Sequence, residues 1–429
     1  MRFHHLSDWL AWQETLHYKT VDFDLERIGR VAARLGKDTK PPFSIISVAG
    51  TNGKGSCVAL LESIFGRAGY RVGAYTSPHL LRYNERIRIM GHEVSDEALV
   101  EAFDEIDRAR RDDTTLTYFE FGTLAAVILF CRAKLDLVVL EVGVGGRLDA
   151  VNLFDADLAL VTTVGIDHVA WLGQDREAIG REKAGIYRPG CPAICGDPDP
   201  PISLVDHARS IGAFLYRIGK DFSFSVGATG KWHWDSPRGN SYRDLPKPAL
   251  AGKHQAQNAA AVLMAIESMR DRFPISEEAL RHGLDAATLP GRFQVFEGKE
   301  GITRILDVAH NPQAARVLAR TLQDSPCGGR TLAVFAILED KDIEAVLRAM
   351  WPVVNAWYVS NLDTPRGGTA RSIMMAMSRI DSNVHRHSAN TVSDAYAMAL
   401  RSAREGDRIV IFGSFHTVSE GLKSLEIVK

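Results

Sequence analysis

Residues 43–56, Phe-Ser-Ile-Ile-Ser-Val-Ala-Gly-Thr-Asn-Gly-Lys-Gly-Ser, constrain this chain more than any other stretch. The apolar run from Phe43 to Val48 is rich in β-branched residues and reads as a buried parallel strand. It enters a glycine-rich turn, Gly50 to Ser56, after which Val58, Leu61, Ile64, Phe65 and Ala68 recur at helical spacing. Strand, glycine loop and helix together make a phosphate-binding loop. Glycines let backbone N–H groups approach phosphate oxygens, and the helix N-terminus adds a favourable dipole. Lys54 is placed on the outer phosphates, and Ser56 offers a hydroxyl to Mg²⁺. The loop departs from the general GxxxxGK[ST] pattern: Val48 stands five before Gly53, and Gly55 separates Lys54 from Ser56. A plain strand-to-helix turn with a surface lysine is the structural alternative.

With 429 residues the chain is too long for one ordinary core, so two domains are expected. A hydrophobic content of 45% with 24% charged residues is that of a soluble globular protein. The formal charge of −2 gives no reason to expect a nucleic-acid partner. No apolar run reaches membrane-spanning length, and the start of the chain lacks a signal-peptide core. Cys57, Cys131, Cys191, Cys195 and Cys327 suit buried thiols in a reducing cytoplasm better than a zinc site.

Further chemistry gathers at predicted strand ends, where open α/β sheets bind ligands. Ser77 follows the strand Arg71 to Tyr75; a Ser-Pro turn is its structural alternative. Asn84 to Ile89 alternates as a strand with its charges in solvent. Glu141 lies at the carboxyl end of the clearest buried strand, Leu135 to Val142. A lone buried carboxylate is costly, and bound Mg²⁺ resolves that cost. The strand Leu158 to Val164 delivers Asp167 and His168 to the same edge. Asp24 is a plausible N-cap for a helix from Leu25, with Arg27 on a solvated face. Thr117 and Glu120 fit a capping box. Pro290-Gly291 breaks a helix and starts a second β/α series, with strands at 302–308, 331–337, 355–360 and 407–412. The fold class is therefore α/β: an N-terminal P-loop-type ATP-binding domain, residues 1–290, with a parallel-rich sheet, and a smaller Rossmann-like α/β domain, residues 291–429.

The loop Gly-Thr-Asn-Gly-Lys-Gly-Ser resembles that of the Mur-ligase superfamily, and more closely that of dihydrofolate synthase and folylpolyglutamate synthase. The resemblance extends in order through TSPH (76–79), TYFEFGT (117–123), EVGVGGRLDA (141–150), DHVAWLG (167–173), REKAGI (181–186), PGRFQ (290–294) and DVAHNP (307–312). It implies an ATP-dependent ligase with ATP and two Mg²⁺ ions between its domains. Thr51, Asn52, Gly53, Lys54, Gly55, Ser56, Asn258, Arg292 and Asp307 would hold ATP, with His310 and Asn311 as weaker nucleotide-side candidates. Ser56, Ser77, Glu141, His168 and Lys183 would hold metal, Lys183 after carbamylation by CO₂, which needs a neutral amine. Asp22, Phe23, Asp24 and Leu25, with Thr117, Tyr118, Phe119 and Glu120 and with Leu148, Asp149 and Ala150, would contact dihydropteroate.

The reaction so implied is acyl activation: ATP phosphorylates the acceptor carboxylate, and the amine of L-glutamate attacks the acyl phosphate. Dihydropteroate and tetrahydrofolate are the implied acceptors, and a monomer is the family expectation. A cell-wall Mur ligase needs an extra N-terminal domain, for which no room precedes residue 43. A monofunctional folylpolyglutamate synthase and an ATPase switch are the remaining alternatives; the dihydropteroate segments argue against the first, and the second domain with Arg292 against the second.

Overall fold

The computed structural model describes every residue except 20, 21, 38, 228, 237, 238, 382, 383, 428 and 429, and only the backbone of 426 and 427. The chain forms two compact units: Met1–Ala249 with Gln255–Thr288, and Leu250–His254 with Leu289–Lys429.

In the first unit the strand Ser44–Ala49 is buried along its whole length. It lies between Leu137–Glu141 and Leu158–Val161, parallel to both. Neighbours on both edges and cover on both faces leave no place for a charged side chain, hence a run interrupted only by the small Ser44 and Ser47. Among the described residues the sheet runs His92–Glu93, Ile87–Ile89, Val72–Tyr75, Leu137–Glu141, Ser44–Ala49, Leu158–Val161, Pro192–Cys195, Phe214–Arg217. It is parallel from Val72–Tyr75 onward, with antiparallel pairs at the other edge. Register decides where the strands stop. Val48 pairs with Glu141, Ala49 with Val161, and Tyr75 with Leu140. Four strands thus end level, and the segments after them share one edge of the sheet.

The segment 84–89 differs from the expected solvated strand. Tyr83–Arg86 is a 3₁₀ turn, and only Ile87–Ile89 is extended. Its charges are engaged: Arg86 stacks over Tyr83 and Tyr118, Arg88 pairs with Glu62 at 2.7 Å, and Glu85 accepts from the amides of Leu80, Leu81 and Arg82. Trp232 and Trp234 are fully buried packing residues of a separate antiparallel sheet, with their indole N–H groups donating to the carbonyls of Pro246 and Ala260.

The second unit holds its own sheet, in the order Gln294–Glu297, Thr303–Asp307, Arg408–Phe412, Thr331–Phe335, Ala356–Ser360, Arg386–Ala389. Among these strands only Gln294–Glu297 is antiparallel. Phe335, Trp357 and Phe412 pack ring against ring at its centre. All five cysteines are free thiols. Among the described residues no helix is long and apolar enough to cross a membrane.

Candidate active site

The glycine loop leaves Ala49 and is tied by its main chain to the segment after Leu158–Val161. The Thr51 amide donates to the Thr163 carbonyl at 2.7 Å, and the Asn52 carbonyl accepts from the hydroxyls of Thr162 and Thr163. The Thr51 hydroxyl donates to the Gly165 carbonyl and accepts from the Gly165 amide. Gly50, at φ +148°, cannot carry a side chain: a Cβ would lie 1.8 Å from Thr162 Oγ1. Gly53 caps the helix Lys54–Arg67 in a left-handed conformation. Lys54 Nζ donates to the Gly50 carbonyl at 3.1 Å, folding the side chain back over the loop. Ser56 is buried and accepts from Gln255 Nε2, and Gln255 Oε1 accepts from Asn258 Nδ2. Asn258 Oδ1 lies against Gly53. Thr51 to Ser56 and Asn258 therefore form one cluster.

The next strand ends bring Ser77 and Glu141 together. Glu141 is buried, and its Oε2 accepts from the Ser77 amide at 3.2 Å. Beyond Glu141 the chain turns back on itself, with Asp149 accepting from the amides of Val144 and Val151. Burial raises the Asp149 carboxyl to about 7, against those hydrogen bonds and the charge of Lys54. Gly146 admits the helix Arg176–Ala184: a Cβ there would meet the Glu182 carbonyl at 2.7 Å. That helix carries Lys183, which is 3% exposed. Burial lowers the Lys183 amine to about 7; Lys54 adds to the shift, and Asp167 and Asp149 oppose it. His168 has a left-handed backbone and stacks on Trp171 at the start of the short helix Val169–Leu172. Among the described residues no three His, Cys, Asp or Glu side chains converge as a metal cage. Glu141 and Ser77 bring a buried carboxylate and a hydroxyl to one place, oxygen donors of the kind a hard divalent cation takes.

The helix Tyr118–Ala133 opens with the capping box: Glu120 N–H donates to Thr117 Oγ1, and Thr117 N–H to Glu120 Oε2. Phe119 packs on Gly143 and Tyr75, beside the end of the Glu141 strand. Asp24 caps the helix Leu25–Arg34 through the Glu26 amide. Arg27 is not solvated, as its position early in that helix suggested. It is 8% exposed and forks onto Glu120, with Nη2 to Oε1 at 2.8 Å and Nε to Oε2 at 3.3 Å. Its Nη1 reaches Asp22 at 2.9 Å and Asp24 at 3.4 Å. Asp22 and Asp24 are thereby joined to Thr117 and Glu120. Phe23, Leu25, Tyr118 and Leu148 are part-buried, and Ala150 is buried.

Arg292 and Asp307 belong to the second unit. Asp307 accepts from the amides of Phe293 and Ala309, both at 2.8 Å. Burial raises its carboxyl, against the charge of Arg292. Arg292 lies over the Phe415 ring, and His310 Nδ1 meets the Val308 carbonyl. Asn311 caps the following helix, Pro312–Asp324.

The family model for the Mur ligase, glutamate ligase domain matches residues 291–415. A dihydrofolate synthase/folylpolyglutamate synthase of Escherichia coli K12 is 44% identical over 421 residues, covering 98% of this chain and 96% of that protein. The chain belongs to the dihydrofolate synthase/folylpolyglutamate synthase family. It is an ATP-dependent ligase of the bifunctional type. The structure of E. coli FolC in complex with DHPP and ADP has 44% identity and a TM-score of 0.92, covering 99% of this chain and 98% of that one. A bifunctional enzyme with Mn, AMPPNP and L-glutamate bound has 43% identity and a TM-score of 0.89, with the same coverage.

Sequence reasoning passed over His17 and Gln255 in this ligase and put Arg27 on a solvated face. Arg27 carried a faint signal, a lone arginine three residues after the Asp24 cap. Its partner Glu120 is 93 positions away, beyond the reach of any local pattern.

Proposed function

We propose that the shared edge of the larger sheet binds Mg²⁺-ATP and the acceptor of a glutamate-adding reaction. One observation carries this reading: level strand ends set the glycine loop, Ser77 with Glu141, and the turn of Asp149 side by side. Thr51 to Ser56 and Asn258 hold ATP, with Lys54 on the outer phosphates. Ser56, Ser77 and Glu141 hold one Mg²⁺, and His168 and Lys183 a second. The relatives' ADP, AMPPNP and Mn support a nucleotide with a divalent ion. When bound, Mg²⁺ offsets charge on the phosphates.

Carbamylation of Lys183 fits its burial. Nitrogen attack on CO₂ needs the neutral amine, and a lysine near 7 supplies it at neutral pH. The product is an anion where the buried ammonium was unfavourable.

Asp22 to Leu25, Thr117 to Glu120 and Leu148 to Ala150 line the dihydropteroate side. The DHPP of the E. coli relative and the joining of Asp22 to Glu120 support this. Arg292 and Asp307 are the second unit's contribution to the nucleotide. In the reaction, the acceptor carboxylate takes the γ-phosphoryl group of ATP and releases ADP. The glutamate amine then attacks the acyl carbon, and the tetrahedral adduct expels phosphate to leave an amide. The chain's own work is positioning and exclusion of water. The enzyme works as a monomer in the cytoplasm.

The test is ADP release by purified protein with Mg²⁺-ATP and L-glutamate, comparing dihydropteroate, tetrahydrofolate and no acceptor. Glutamate-dependent release with each acceptor is expected. Release with tetrahydrofolate alone would remove the dihydropteroate pocket; equal release without acceptor would replace ligation by an ATPase.

A further inference from the structure

Two chain segments that are far apart in sequence meet through buried charge. Arg27 places its guanidinium between Glu120, to which it donates from Nη2 and Nε, and Asp22, to which it donates from Nη1 at 2.9 Å. A second bridge runs alongside it: His17 Nδ1 lies 2.8 Å from Thr115 Oγ1, and its Nε2 lies 3.2 Å from Asp22 Oδ2. Both bridges join the stretch before the helix Leu25–Arg34 to the stretch that opens Tyr118–Ala133. The side chain of Arg27 is 10% exposed and that of Glu120 is 4%, whereas Asp22 is 17% and Asp24 is 40% exposed. The fork thus has a buried root on Glu120 and a tip that reaches the surface at the two aspartates.

Stability alone does not account for such an arrangement. A buried ion pair gains little net free energy over an apolar pair of equal volume, because desolvation offsets the attraction. What a planar guanidinium adds is geometry: it fixes two carboxylates in one plane and at set distances. Glu120 also closes the capping box with Thr117, so the position of Arg27 is passed to the first turn that carries Tyr118 and Phe119.

We propose that Arg27 is a positioning residue for the acceptor, setting Asp22 and Asp24 against the helix start at Thr117 to Glu120 so that dihydropteroate meets one preformed surface. The inference rests on the reading that these segments line the acceptor pocket. Arg27 touches no reacting atom and acts through Asp22 and Glu120. Its loss is therefore felt in acceptor binding and not in nucleotide handling.

The experiment is steady-state kinetics of the full chain with dihydropteroate and Mg²⁺-ATP varied separately, alongside a thermal transition for each variant. Arg27→Lys keeps a positive charge beside Glu120, but a single ammonium cannot fork onto Glu120 and reach Asp22 together. It is expected to raise KM for dihydropteroate about tenfold, with kcat and KM for ATP within about twofold. The double variant Arg27→Gln/Glu120→Gln leaves no unpaired buried charge, so it tests the same point should Arg27→Lys not fold. Phe119→Ala serves as the reference for the pocket itself. An unchanged dihydropteroate KM in a folded Arg27 variant, while Phe119→Ala raises it, overturns the role of Arg27. An equal rise in both KM values does so too, since it marks a general distortion. No change in any of the three variants removes the pocket reading beneath it.

Discussion

In the glycine loop, main-chain groups of Thr51 and Asn52 are tied to Thr162, Thr163 and Gly165, whereas the proposed acceptor side is held by side-chain charge between Arg27, Asp22 and Glu120. The first kind of site accepts many side chains but no extra Cβ at its close approaches. The second tolerates small changes of backbone but not the loss of a charge. Both lie beside the end of the Glu141 strand, the loop through its parallel neighbour Ser44–Ala49 and the acceptor side through Phe119 on Gly143. One edge thus combines a rigid backbone cradle with an electrostatic clamp.

The largest expected effect tests what the loop adds beyond its backbone. Lys54→Ala should leave the thermal midpoint in place, yet lower kcat about 10³-fold, since the main chain persists while the phosphate charge goes unmet. Near-normal turnover would reduce the loop to a turn. On the opposite side, Glu120→Ala should cost about 3 kcal/mol in urea unfolding. It removes the buried partner of Arg27, leaving only Asp22 and Asp24 to face the guanidinium, and it leaves the Thr117 amide without its acceptor. If that variant is as stable as the parent, the clamp is ornamental and the contrast collapses.

Gly50→Ala attacks the loop on its own terms. With a Cβ placed 1.8 Å from Thr162 Oγ1, the loop must shift, and a loss of about 2 kcal/mol is expected together with weaker ATP binding. Calorimetry with and without nucleotide measures both.

The smallest effect at neutral pH concerns His254 in the second unit. Burial lowers its imidazole to about 4, and the charge of Arg292 adds to the shift. Unfolded, it titrates near its ordinary value of about 6.5. Between those values the unfolded chain binds the extra proton, so the stability tied to neutral His254 is full above about 6.5 and declines as pH falls toward 4. His254→Gln should flatten that acid limb in urea titrations at pH 4.5 and 7, while changing little at pH 7. An unaltered acid limb would assign the loss to other groups.

The elements legible in the sequence are those whose cause is local. Ser44–Ala49 carries no charged residue and only two small serines because parallel neighbours bury both faces, and Asp24 and Thr117 sit where helices need an acceptor for their first amides. The segment 84–89 misled because alternating charge reads as a solvated strand. Nothing local says that Arg86 will lie over Tyr83 and Tyr118, or that Arg88 will find Glu62.

The sequence by itself determined the loop, the central buried strands and the family to which they belong, because glycine spacing and apolar periodicity are short-range properties of a chain. Tertiary structure decided which strands end level, that Ser77 meets Glu141, that the Lys183 amine is held near 7, and that Arg27 binds Glu120. Those outcomes arise from parallel register, from desolvation and from charge pairing across long loops. Each depends on residues brought together only when the core closes, so no stretch of sequence carries them alone.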